Sequence, residues 1–399
     1  MIEIVKFENI LRGCQDDSFD NGIQIETELV PLGGSGAPVK PSVYAGGVYQ
    51  QDRRWYSSED KEPQDVVVID NVPSQANRLE NALRHHRESI GLPEFILDFS
   101  GVGRLPSHLP MKLSSFQFPH RNADAYLRDS QLNEDDFIKT DLGKDIFGAT
   151  AQNCAPLIAW FPQALLYGFW QSHLGKKRSN SKHARAWVSE IIGWQPATTE
   201  TRVLGLKGDA LNLSIDDPVT FNPNDRTQWE IGKNKLIEDG KSDKLSEIGH
   251  GQVPFTGGDA SLAAISFGHI SQRATVSFAQ LRRVRIDNQF NSKKNSACRA
   301  LLVALGLHAH QLAFNRGFSL RSMADLCPQS TRVIWLGDDV DSEINLGNAK
   351  DTLNLVQSAK EHAVDVGLEL DGWDKPPLVL EPKENLKKAI RITWPQIID

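Results

Sequence analysis

The chain has little cysteine, four residues in 399, and Cys14, Cys154, Cys298 and Cys327 lie too far apart for any CxxC pair. That excludes a local zinc ribbon and a disulfide framework, and a reducing cytoplasm is the expected compartment. Long apolar runs are missing as well. None approaches the roughly 20 residues that cross a bilayer, so no membrane partner is expected. The first residues, Met1-Ile2-Glu3-Ile4-Val5-Lys6, lack the basic-then-apolar order of a signal peptide. Catalytic signatures are absent: no Gly-x-Ser-x-Gly elbow, no His-Glu-x-x-His and no Rossmann glycine triplet after a strand. His85 and His86 are adjacent, and His308 and His310 stand two apart on a helix, so neither pair converges on one metal. The acidic run from Asp338 to Glu343 lacks the spacing and glycine of an EF-hand loop. No metal and no cofactor are expected. An excess of positive charge is missing too: the net charge of −7 argues against indiscriminate coating of nucleic acid. It leaves room for a local basic groove, because a groove's field depends on charges within a Debye length.

What is present reads as an α+β chain. Ile23, Ile25, Thr27 and Leu29 alternate along a strand, Gly22 to Leu32, that ends in Gly33-Gly34-Ser35-Gly36. No Gly-Lys-Ser/Thr closes that cluster, so a loop fits it better than a phosphate cradle. Val66-Val67-Val68-Ile69 is a buried strand by its β-branched run. Pro73 is expected to stop it and Ser74 to cap the following helix, whose stripe is Ala76, Leu79, Ala82 and Leu83. Gln75, Asn77, Arg78 and Asn81 then fall on the exposed side. A helix start with amides and an arginine suits a phosphate, and equally an ordinary solvated helix. Further strands are expected at 94–99, 164–170, 274–286 (bent near Leu281), 320–326 and 332–336. Helices are expected at 296–315 and 351–366, with a proline-bearing tail after them. Residues 100–150 and 205–272 read as insertions. The order fits a ferredoxin-like, RRM-like core with long excursions, one domain over 1–399 with residues 329–399 as a C-terminal helical extension.

The strongest local charge signal lies at 173–185. Lys176, Lys177, Arg178, Lys182 and Arg185 occur there with no acid, and Trp187 and Trp194 follow. Cations interleaved with aromatics are the composition that binds single-stranded nucleic acid, although a charge run can also be merely a solvated face.

An ordered set of segments resembles a known family. They are Pro31-Leu32-Gly33-Gly34, Pro41-Ser42-Val43-Tyr44-Ala45-Gly46-Gly47-Val48-Tyr49, Ser74-Gln75-Ala76-Asn77-Arg78-Leu79-Glu80 and Ser114-Ser115 with His120-Arg121. Leu165-Leu166-Tyr167-Gly168-Phe169-Trp170, Ser277-Phe278-Ala279-Gln280-Leu281-Arg282-Arg283, Ala304-Leu305-Gly306-Leu307 and Leu320-Arg321-Ser322-Met323-Ala324-Asp325-Leu326 continue it. Together they resemble the Csb family of CRISPR-associated RAMP proteins, the Cas seven-type backbone subunits of type I-G (formerly I-U) Cascade complexes.

The resemblance implies an RRM-like palm with thumb and finger insertions and no catalysis of its own. It implies copies stacked head to tail along CRISPR RNA, which is presented to a target DNA strand while base pairing supplies the sequence specificity. Other partners would be the large subunit and the subunit that binds the guide 5′ end. Carried over by matching position, the RNA contacts would be Gln75, Asn77, Arg78, His120, Arg121, Arg282, Arg283 and Arg321. Local charge adds Lys176, Lys177, Arg178, Lys182 and Arg185. The alternative is a metal-dependent ribonuclease backbone subunit that cuts guide-paired target RNA, with Asp98, Asp209 and Asp259 as loop-proximal candidates.

Overall fold

A computed structural model describes residues 3–172, 174, 181–198, 202–203, 206–207, 209–211, 213–232, 241–251, 253–254 and 261–394. Its main sheet is built from β1 (Gly22–Pro31), β2 (Gln64–Asp70), β5 (Trp187–Pro196), β6 (Phe267–Ser277) and β7 (Asp325–Leu336), in the order β7-β1-β6-β5-β2. Each neighbouring pair is antiparallel. Gln51–Arg54 extends the β2 edge, and Phe318–Ser319 extends the β7 edge. Helix α1 (Val72–His85) follows β2, α2 (Lys293–Phe314) links β6 to β7, and α3 (Ala349–Asp365) follows β7.

Strand alternation sorts side chains to two faces. Ile23, Ile25, Leu29, Val67, Ile69, Ile191, Ile270, Ala274 and Val276 join the large core beneath the helices. Val66, Val68, Ile192 and Trp194 make a small separate cluster on the opposite face, covered by Tyr56. Trp194 stacks on His269 there, and Arg273 lies over both Tyr56 and Trp194. Helix α2 is buried almost all round because α1, α3 and the helix Phe7–Gly13 pack against it. It is long and apolar enough to cross a membrane by length and composition, but that apolar surface is buried inside the fold. Gly306 makes its crossing possible: a Cβ there would sit 2.7 Å from Trp187 Cε3.

Several sequence expectations change. Residues 162–167 are helical rather than a strand, started by Pro162, whose fixed φ suits a first helical turn. The strand expected to run through 274–286 ends at Ser277, whose side chain caps a helical turn, Phe278–Leu281. Residues 320–324 form a connection into β7, not a strand. Region 100–150 supplies edge strands to a second sheet, ordered Lys112–Ser114, Phe95–Asp98, Leu378–Pro382, Ser130–Leu132, Asp135–Asp136. The C-terminal tail therefore returns to pair in parallel with Phe95–Leu97, and ends in a helix at Glu384–Thr393. Region 205–272 holds a small three-stranded sheet and already contains the start of β6. Residue 329 falls inside β7, so the expected C-terminal extension begins within a strand of the main sheet.

Candidate nucleic-acid interface

The basic cluster resolves into a two-stranded hairpin. β3 (Phe169–Gln171) pairs antiparallel with β4 (Ser181–His183), with Phe169 opposite His183 and Trp170 opposite Lys182. Alternation sends one pair inward and the other outward. Phe169 and His183 are buried with ring centroids 5.8 Å apart. Trp170 is 61% exposed, and Lys182 beside it is exposed. Nε2 of His183 lies 2.9 Å from the Leu165 carbonyl, which can only accept, so the ring proton sits on Nε2. Burial, more than any charge, lowers the His183 pKa, and Arg283 adds to that. His183 is therefore neutral near pH 7 and adds no charge to the cluster. Arg185 and Arg283 are exposed next to the hairpin. Lys176, Lys177 and Arg178, in the segment between the two strands, lie outside the described residues.

Arg121 holds the base of this hairpin. Its Nε and Nη2 donate to the two carboxylate oxygens of Glu80 at 2.7 and 2.8 Å, and Nη1 donates to the Gly168 carbonyl at 2.9 Å. Both side chains are buried, and the guanidinium lies 5.7 Å from the Tyr167 ring centroid. Burial raises the Glu80 pKa, while Arg121 acts to lower it. A side chain at Gly168, where φ is +79°, would meet the His183 carbonyl at 2.8 Å, so only glycine lets the chain turn into β3. The resemblance implied an RNA contact at Arg121; in the structure its donors go to helix α1 and to residue 168. His120 beside it is exposed.

A second group gathers on Asp70, whose side chain is fully buried at the end of β2. Arg78 Nε donates to Asp70 Oδ2 at 2.9 Å and Arg321 Nη2 to Oδ1 at 2.7 Å. Ser74 Oγ and Gln75 Nε2 donate to the same carboxylate at 2.9 and 2.5 Å. The helix cap is Asn71, which accepts from the Ser74 N–H, so the expected Ser74 cap and Pro73 stop are corrected: Pro73 sits in the first helical turn. Gln75 is also corrected. It is buried rather than exposed, and its Oε1 accepts from Ser189 and Gln272. A buried carboxylate needs such partners, and here they come from two separate segments, α1 and the loop before β7. Arg321 reaches further, donating to the Lys40 and Ile69 carbonyls at 3.1 and 3.0 Å. Asn77 is exposed on the outer side of α1.

Arg282 and Arg283 leave the sheet after the turn at 278–281. Arg282 donates through both Nη atoms to the Asp20 carbonyl at 3.2 and 3.1 Å, and Arg283 projects into solvent. The hairpin thus carries Lys182 outward, with Arg185 against Gly168 and Arg283 near His183, while Gln75, Arg78, Arg121 and Arg321 are built into the scaffold. Trp170 was missed as a site residue, although its place beside the acid-free run was the signal. Of the aspartates, Asp98 accepts from the Ser100 hydroxyl at 2.5 Å and N–H at 2.9 Å, which holds its carboxyl below the usual range. Asp209 is held down by the N–H groups of Leu211 and Gly251. Asp259 lies outside the described residues. Among the described residues no three His, Cys, Asp or Glu side chains gather as a metal cluster.

Residues 23–197, from β1 through β5, match the family model described as CRISPR-associated protein GSU0053 (Cas_GSU0053). That similarity to a CRISPR-associated family spans less than half of the chain. The matched residues contain α1, Asp70 with Arg78, Arg121 and the Trp170 hairpin, while β6, α2, Arg321 and β7 lie beyond them. No curated protein matches the chain.

Proposed function

We propose that the chain is a CRISPR RNA-binding backbone subunit of a type I Cascade complex, one of several copies that stack along the guide and present it to target DNA. The observation that carries this reading is Trp170, an exposed indole directly opposite Lys182 on the hairpin. Arg185 lies against Gly168 and Arg283 near His183, by the same hairpin, in a chain of which residues 23–197 are similar to a CRISPR-associated family. An aromatic face with cations around it holds a strand by stacking and phosphate contact without selecting bases. The strand order β7-β1-β6-β5, with α1 and α2 as crossover helices, supports an RRM-like palm, since it is the order of a βαββαβ sheet. β2 is then an addition beside that core. The subunit has no catalysis of its own in this reading, acts in the cytoplasm, and leaves Asp98 and Asp209 to structure, as their local hydrogen bonds favour.

The test is to co-express the chain with a CRISPR array, purify it and digest the bound nucleic acid with nuclease. Guide-length RNA with regularly spaced protected fragments is the expected result. RNA-free monomers that gain no binding at low salt would overturn it. Metal-dependent cleavage of paired target RNA, lost on one aspartate substitution, would replace it with the ribonuclease reading.

A further inference from the structure

We infer that a groove where the end of α2 meets α1 and the start of α3 holds a second single-stranded nucleic acid, separate from the strand at the Trp170 hairpin. The groove has two lobes. One, of about 320 Å³, lies between α1, the end of α2 and residues 318–320. The other, of about 310 Å³, lies between His86, the end of α2 and the first turn of α3. They share His86 and Leu312 and so lie side by side.

Its charge is one-sided. Arg78 and His85 stand in the first lobe, His86 in both, and Arg316 and Lys350 in the second, and no carboxylate is among the described residues that line either. In a chain of 51 acidic and 44 basic residues, an acid-free groove of this length selects polyanions. Arg316 and Lys350 are exposed, whereas Arg78 is held by Asp70. His85 and His86 each place Nδ1 on a main-chain carbonyl, Asn81 at 2.8 Å and Ala82 at 3.0 Å, so that atom carries a proton. Nε2 is then each ring's remaining hydrogen-bonding atom.

The floor is less polar. Leu312 lies between the lobes, and the buried His308 stands in the second lobe with Nδ1 3.0 Å from Thr352 Oγ1. Each lobe is at the small end of ligand sites, which start at roughly 300 Å³, a volume on the order of one nucleotide. Two such lobes in series, with cations along the rim, fit two successive nucleotides of a strand.

The experiment titrates the guide-loaded protein with a short labelled oligothymidylate that cannot pair with the guide, and uses thymidine monophosphate as competitor. Binding is expected, with a salt slope that flattens by about 1.4 in Arg316→Glu/Lys350→Glu and an affinity about tenfold weaker. Guide retention is expected to be unchanged in that variant, while Trp170→Ala weakens guide retention and leaves the oligomer bound. No binding by the wild type overturns the inference, as does an unchanged double variant. Displacement by the mononucleotide at equal nucleotide concentration overturns the strand and leaves a mononucleotide pocket. Arg316→Gln/Lys350→Gln repeats the test with milder changes should the charge reversal unfold the chain. If no guide-loaded protein is obtained, the backbone reading has failed, and the same titration on the RNA-free chain still decides the groove.

Discussion

Arg321 and Asp70 lie 251 residues apart in sequence, yet Nη2 of one donates to Oδ1 of the other at 2.7 Å, at a carboxylate with no solvent exposure. The pair closes a joint between the loop before β7 and the end of β2, with Arg78 as the third member.

Asp70→Ala is expected to unfold the joint, because it leaves two guanidinium groups without their shared partner. Breaking such a buried network by removing one member costs about 3–5 kcal/mol. Urea denaturation of the variant checks it. A change under about 1 kcal/mol, within the range of an exposed pair, would mean the network contributes nothing distinctive.

At the hairpin, Trp170→Ala removes a stacking face worth about 1–3 kcal/mol per base, and Lys182→Ala removes one phosphate contact. We expect guide affinity to fall in both, without unfolding. In Lys182→Ala the slope of log affinity against log salt should flatten by about one, alike for unrelated guides. Filter binding over a salt series reads this. A loss confined to one guide sequence would contradict phosphate and stacking recognition.

Acid should weaken the core through two histidines of α2. Burial lowers His308 and His310 from 6.5 to about 4 in the folded chain. The unfolded state therefore binds more protons between those values, and stability is lost as pH falls from 6.5 towards 4. Each contributes on the order of 3 kcal/mol across that window. His310 packs against Trp187 and Phe314, so His310→Phe is expected to flatten the decline. Thermal melts at pH 7 and pH 5 measure the difference, and equal pH dependence in wild type and variant would refute it.

Gly306→Ala sets helix propensity against packing. Alanine favours a helix by about 1 kcal/mol over glycine, but its Cβ would stand 2.7 and 3.0 Å from Cε3 and Cζ3 of the buried Trp187. Overpacking costs about 1–3 kcal/mol, so net destabilisation is expected. A raised melting temperature would show that Trp187 has room to shift.

Local pattern made the skeleton legible. The alternation Ile23, Ile25, Leu29 marks β1, the run Val66–Ile69 marks β2, and the apolar spacing from Ala300 to Leu312 marks α2. These signals depend on neighbours a few residues away, which the sequence displays directly. The basic run around Lys182 was legible for the same reason. What misled was the apolar stretch 164–170, because helix and strand bury such a run equally well and only Pro162 and Gly168 divide it into a helix and a β3 strand.

The sequence by itself determined the α+β class, the main strands and helices, the absence of a covalent framework, and where positive charge is densest. The tertiary structure alone decided which charged residues are free to meet a ligand. Arg78, Arg121 and Arg321 have the same chemistry as Arg283. Yet buried carboxylates at Asp70 and Glu80, brought from distant segments, take up their donors. The reason is desolvation: a carboxylate in the core requires a partner, and which arginine supplies it is fixed by how strands and helices meet, not by adjacency in the chain.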